Sequence, residues 1–265
     1  MIDFHNHFLP GLDDGSKSWE MTIDMFRTAK NQGIEVAVNT VHYKHPKLDL
    51  SNVNKENINN KLEKLRQLLK ENNIDIEVYS FSEVYYTPHI TEIVKDPLAT
   101  ISNRYILIEF PTIQFPIDFE KQLYNICLEG IVPIIAHPER YRQVQSDIDI
   151  LNPLINMGCI IQIDGGSLVG QFGEKCKLVS EDLVKRGFCH IVGSDAHNNS
   201  KRNFCLSDSF QASQEIAKDS YKLFKDNPFS VINGKPVVNL DAMHTSRSNK
   251  KISLFDRIKK KVNIN

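Results

Sequence analysis

The five cysteines of the chain, Cys127, Cys159, Cys176, Cys189 and Cys205, contain no Cys-x-x-Cys pair. An odd set without paired spacing argues against a disulfide framework and suits a reducing compartment. Charge of one sign is not in excess either. Thirty-two basic residues face 33 acidic ones for a net charge of -1, so binding to nucleic acid would require a local patch, and none is predicted. No apolar run approaches bilayer-spanning length, and the N-terminus carries no basic-then-apolar leader, so a soluble, cytoplasmic protein is expected. Internal repeats, low-complexity tracts and linkers are absent before residue 240. What remains is ordinary globular material: 265 residues, 41% hydrophobic and 25% charged, enough for one large domain with a substantial core.

The informative stretch is the first fifteen residues, MIDFHNHFLPGLDDG. Met1, Ile2 and Phe4 read as a short strand with His5 and His7 at its end. Two residues apart on an extended backbone, both imidazoles point to one face. There they can chelate one borderline metal ion, with an oxygen ligand from Asp13 or Asp14. Taken alone, His-x-His is equally compatible with two surface histidines, and the rest of the chain decides.

Further along, β-branched apolar runs alternate with amphipathic helical stretches. Strands are predicted at 34–41, 74–81, 104–108, 131–136, 159–163 and 188–193. Ser16 or Ser18 caps a helix to about Gln32, and further helices are predicted at 52–73, 89–95, 117–129, 147–157, 175–186, 207–218 and 220–226. Asn227-Pro228 is read as a break before a last helical turn at 228–233, and Gly165-Gly166 as a tight turn. Seven strands alternating with helices imply a parallel sheet. The predicted fold is α/β, a distorted (β/α)7 TIM-like barrel whose strand C-termini share one mouth.

Each strand ends in a residue of ligand type. The set is His5, His7, Asp13 or Asp14, His42, Glu83, Glu109, His137, Asp195 and His197. Mixed imidazole and carboxylate donors suit manganese, iron, zinc, cobalt or magnesium, and the lack of cysteine argues against a structural zinc site. Nine donors exceed what one ion uses, so two or three ions sharing a bridging carboxylate are expected. Such a cluster activates water as a nucleophile and clamps an oxyanion such as phosphate. Arg140, three residues past His137, lies at the same mouth, and Arg202 can reach it from a loop. A guanidinium fork matches phosphate oxygens. His45, Tyr85 and Tyr86 are candidates for the entrance, with packing at the rim the simpler role for the two tyrosines.

The segments DFHNHFLPGLDDG, TVHYKHP, SEVYYTP, YILIEF, PIIAHPERY and IVGSDAHN occur in this order over about residues 1–235. Together they resemble the polymerase-and-histidinol-phosphatase (PHP) superfamily, and within it the bacterial manganese-dependent protein-tyrosine phosphatases of capsule and exopolysaccharide operons (the CpsB/YwqE type). The resemblance implies a trinuclear, manganese-preferring centre that hydrolyses phosphotyrosine, with an autophosphorylating bacterial tyrosine kinase as partner. Carried over to this chain, one ion takes His5, His7, Glu83 and Asp195, and a second Asp14, His42 and His197. A third takes Glu83, Glu109 and His137, while Arg140 and Arg202 hold the phosphate. Two departures stand out: Phe81-Ser82 replaces a Gly-Ala common before the bridging glutamate, and Arg202 sits in an unusual loop, NSKRNF.

The sequence argues against a cysteine-based phosphatase, since none of the five cysteines is followed by arginine six residues on, as a C-x5-R phosphate loop requires. Two alternatives stay open: a small-molecule phosphatase of the histidinol-phosphate kind, and a non-catalytic metal-binding regulator. Residues 1–240 are expected to form the barrel and 241–265 a basic tail. In that tail Leu254, Phe255, Ile258 and Val262 fall on one possible helical stripe beside Lys259 to Lys261, allowing at most peripheral membrane contact.

Overall fold

The computed structural model describes residues 1–237. The basic tail and its predicted boundary near residue 240 lie outside the described residues.

Seven parallel strands form one sheet in chain order: β1 (Ile2–Asn6), β2 (Val36–Tyr43), β3 (Glu77–Tyr85), β4 (Tyr105–Glu109), β5 (Val132–Ala136), β6 (Ile160–Asp164) and β7 (Ile191–Gly193). An isolated parallel bridge, Asn6 to Ala196, brings the last strand-end back to the first. There His7 N donates to Ala196 O at 2.8 Å and Asp195 N to His5 O at 2.7 Å, so the barrel is nearly closed. Gly193 permits this seam: a Cβ on it would lie 2.6 Å from His5 Cβ. Only glycine lets the two backbones approach so closely.

Helices cover the outside because their apolar stripes match it. In the helix Trp19–Asn31, Ile23, Met25, Phe26 and Ala29 are buried, and Ser18 caps it by accepting from Met21 N. In Lys55–Glu71, Ile58, Leu62, Leu65 and Leu69 are buried, and Asn54 caps by accepting from Asn57 N. Each cap satisfies an otherwise unpaired helical N–H.

A smaller apolar cluster includes Val38, Tyr105, Leu107, Ile134, Ile160 and Ile191, with Tyr79 and Phe81 packed against it. By strand alternation these residues share the barrel-interior face with Thr40 and His42, Glu83, Glu109, Gln162 and Asp164. The interior columns of β2, β3, β4 and β6 are therefore apolar below and polar at their C-terminal ends. Val231 and Ile232, from the helix Asp226–Ile232, join the apolar part.

Several predicted boundaries move. β2 and β3 end two and four residues later than the predicted 41 and 81, and so carry His42 and Glu83 within them. Those two residues are register partners across the ladder, so hydropathy put them just past their strands while backbone pairing keeps them within. The predicted helix 147–157 is instead a 3-10 turn, Ile148–Leu151, followed by a helix Asn152–Met157. Asp147 is extended there and accepts from Asp149 N, which starts a new turn. Gly165-Gly166 opens a short helix, Gly165–Leu168, because Asp164 caps it. The break expected at Asn227-Pro228 falls at Lys225, and Pro228 sits in the first turn of Asp226–Ile232, where its missing N–H costs nothing.

Candidate metal centre

Glu83 is the hub of the mouth. Its Oε2 lies 3.2 Å from His5 Nε2, 3.4 Å from His7 Nε2 and 3.2 Å from His42 Nδ1, while Oε1 lies 2.9 Å from His137 Nε2. Asp195 Oδ1 forms a second junction, 3.6 Å from His5 Nε2, 3.4 Å from His7 Nε2 and 3.4 Å from His197 Nδ1. Asp14 Oδ1 spans His42 and His197, each at 3.4 Å, and Glu109 Oε2 is 3.8 Å from His42 Nδ1. All nine sequence-predicted donors thus converge, from six strand ends (β1 to β5 and β7) and the loop after β1.

Backbone geometry aims two of them. His137 and Asp195, each just past a strand, have φ of 31° and 48°, a left-handed conformation that non-glycine residues rarely adopt. Such strain persists only where the surroundings fix it, and it collects at functional sites.

The donor groupings compatible with one ion are His7, Asp14, His42 and His197; His5, His7 and Glu83; and His42, Glu83 and Glu109. The first adds His7 to the Asp14, His42 and His197 implied by resemblance, and the second holds His5, His7 and Glu83 of that assignment without its Asp195. The third has His42 where that assignment has His137. Asp14 faces the donors, whereas Asp13 supports them. Asp13 Oδ2 lies 2.8 Å from His7 Nδ1 and accepts from His42 N at 3.1 Å. Gln162 Oε1 lies 3.0 Å from His5 Nδ1, and the backbone oxygen of Asp195 lies 2.9 Å from His197 Nδ1. These partners orient the rings so that the opposite nitrogen faces inward.

The electrostatics are those of a site built for cations. Burial pushes the Glu83 carboxyl up, but the His5 and His42 imidazoles override it and hold it well below its ordinary value. Asp195 is likewise held low against burial, by Arg202 and His197. Burial disfavours a charged His5, yet Glu83 and Asp195 raise its pKa to about 9. Burial and the neighbouring Glu83 lift Glu109 to about 7, while burial and Arg140 lower His137 to about 4. Three buried atoms of this set, His42 Nδ1, Glu109 Oε2 and His137 Nδ1, have no hydrogen-bond partner. A nitrogen-and-oxygen donor set with such atoms left open fits divalent metal ions.

Both arginines reach the cluster. Arg140 Nη1 and Arg202 Nη2 donate to the same atom, Asp195 Oδ2, at 2.7 and 2.6 Å. His45, also at the mouth, has Nε2 3.8 Å from Glu109 Oε2 and its ring edge-on to Tyr85. Tyr86 instead turns into the core and stacks on Phe110. The sequence reading missed Gln162 and weighed Asp13 only as an alternative ligand; no local pattern marks either as a support. It also missed Phe172, whose ring lies against both arginines.

A nearly closed parallel barrel with imidazole and carboxylate donors gathered at its mouth defines a metal-centre barrel. The chain belongs to the capsular polysaccharide synthesis CpsB/CapC family, whose model matches residues 1–233. It is 35% identical to the tyrosine-protein phosphatase YwqE of Bacillus subtilis over 206 residues, covering 77% of this chain and 80% of that one. With the tyrosine-protein phosphatase CpsB of Streptococcus pneumoniae it shares 32% identity over 241 residues, covering 88% and 98%. Among solved structures it matches those of YwqE from Bacillus subtilis and CpsB from Streptococcus pneumoniae, described as unique metal-dependent tyrosine phosphatases. That match has a TM-score of 0.82 and 30% identity, and covers 93% of this chain and all of the other. A histidinol phosphate phosphatase from Lactococcus lactis shares the fold, with a TM-score of 0.54 and 13% identity over 83% of this chain and 94% of that one.

Proposed function

We propose that this chain is a metal-dependent protein-tyrosine phosphatase that acts on an autophosphorylating tyrosine kinase of polysaccharide synthesis in the cytoplasm. The observation that carries the reading is the convergence of nine donors around Glu83 and Asp195 with two arginines on the rim. With the imidazoles neutral, as metal ligation requires, four ligand carboxylates against two guanidiniums leave the mouth anionic, and a dianionic phosphate would be repelled from it. Two or three divalent cations reverse that sign. Manganese is our choice, because hard carboxylates and imidazoles are balanced in the donor set.

In this reading the metal ligands are His5, His7, Asp14, His42, Glu83, Glu109, His137, Asp195 and His197. When bound, the ions polarise the phosphoryl oxygens and lower the pKa of water so that it can attack phosphorus. Glu83 and Asp195 hold the imidazoles in register through the contacts above. Arg140 and Arg202 exchange part of their contact with Asp195 for the phosphate and balance the charge that develops on its oxygens. Burial of most of the donors, the exposed Asp14 apart, strengthens these interactions.

The test compares hydrolysis of a phosphotyrosine peptide and of histidinol phosphate, with EDTA and after manganese is restored. Manganese-restored turnover of the peptide alone is expected. Turnover of histidinol phosphate alone would move the function to small-molecule phosphomonoesters. Turnover of neither, with metal bound, would make the protein a non-catalytic regulator.

A further inference from the structure

Between the two arginines lies a side chain with no place in the scheme above. Phe172 follows the short helix Gly165–Leu168 at the end of β6, the strand between those that deliver Arg140 and Arg202. The Arg140 guanidinium carbon lies 4.8 Å from the centre of the Phe172 ring and that of Arg202 5.8 Å. Both heads also meet on one oxygen of Asp195, so two like charges are held close together. The face of an aromatic ring is the negative end of its quadrupole and offsets that repulsion.

The ring is seated, not merely near. Asp164 accepts from Gly166 N at 2.7 Å, and Gln171 N donates to Gly166 O at 2.8 Å, which folds the segment back on itself. A Cβ on Gly166 would come within 2.8 Å of Phe172 Cε2. The absence of a side chain at 166 is what gives the ring its place.

We infer that Phe172, lodged on Gly166, is a positioning residue that holds the Arg140 and Arg202 guanidiniums as a preorganised pair for the phosphate. The inference rests on the proposed role of the arginines. It assigns Phe172 no contact with the reacting atoms. Its effect passes through the orientation of the two forks, so phosphate affinity should respond while metal binding does not.

The experiment uses the manganese-loaded full chain and two readouts, competitive inhibition by inorganic phosphate and kcat/KM on a phosphotyrosine peptide. Phe172→Leu, which keeps bulk and removes the aromatic face, should raise the phosphate inhibition constant about tenfold. It should lower kcat/KM at least as much, with manganese content unchanged. Phe172→Tyr should restore wild-type values, and Gly166→Ala should reproduce the leucine variant by displacing the ring. Combined with Arg140→Ala, Phe172→Leu should cost less than it does alone, because one of its two partners is gone. A Phe172→Leu enzyme with wild-type phosphate affinity, alongside weakened Arg140→Ala and Arg202→Ala enzymes, would overturn the inference and leave the arginine assignment standing. Unchanged phosphate affinity in both arginine variants would overturn that assignment and this inference with it.

Discussion

At the scale of single residues, the centre depends on one carboxylate touching four imidazoles. Glu83→Gln keeps the shape of that side chain and removes its charge. The expected result is loss of bound manganese, measured by elemental analysis, with kcat/KM down about a thousandfold or more. Arg140→Ala separates binding of metal from chemistry: turnover should fall about 10²- to 10³-fold, as on removal of one charge-stabilising donor, while metal content stays at the wild-type level. Retention of wild-type turnover by Arg140→Ala would remove that arginine from the phosphate site. Protons report on the same site. In the metal-free protein the folded-state pKa of His5 is about 9 against an ordinary 6.5, so folding takes up a proton between those values. Its stabilising contribution is complete below about pH 6.5 and is lost as pH rises through 9. Melting of EDTA-treated protein should therefore shift to lower temperature across that window. Metal binding near pH 7.5 should release protons, read by calorimetry in buffers of different ionisation enthalpy.

At the scale of elements, the critical junction is the seam where β7 meets β1. Gly193→Ala places a Cβ 2.6 Å from His5 Cβ, and neither backbone can give way without moving a ligand. A loss of about 3 kcal/mol in chemical denaturation is expected, toward the upper end of the usual cost of overpacking, together with weaker metal binding. Cap removal provides the contrast. Asn54→Ala frees the helix Lys55–Glu71 from its N-cap at a cost of about 1 kcal/mol, and activity should be unchanged because that cap lies on the exposed outer surface. The existence and order of these elements were legible in the sequence, since a buried parallel strand is an unbroken β-branched run and a covering helix an apolar stripe. Their ends were less so. His42 and Glu83 are polar, and hydropathy assigns polar residues to loops, yet each pairs with the other across β2 and β3.

At the scale of the whole molecule, every donor and both arginines lie before residue 203, and the family model ends at residue 233. A chain shortened to residues 1–240 should hydrolyse a short phosphotyrosine peptide at the wild-type rate. A substantial loss on that peptide would show that the remaining 25 residues serve the barrel itself; loss confined to a kinase substrate or to vesicle binding would assign them to docking. Among the described residues no helix is long and apolar enough to cross a membrane.

The sequence by itself determined which candidate donors would gather at the mouth, because a strand's C-terminal end in a parallel barrel has only one place to go. His5, His42, Glu83, Glu109, His137 and Asp195 were readable one strand at a time for that reason. The tertiary structure alone decided how they share contacts. His7 borders two donor groups, His42 rather than His137 joins Glu83 and Glu109, and Asp14 faces inward while Asp13 braces His7 and His42. It alone revealed the supports: Gln162 meets His5 across 157 residues of chain, and Phe172 meets arginines from two other strand ends. Local sequence encodes that a strand is present and which residues stand near its end. Which side chain touches which depends on the closure of the barrel, a property of all seven strands together.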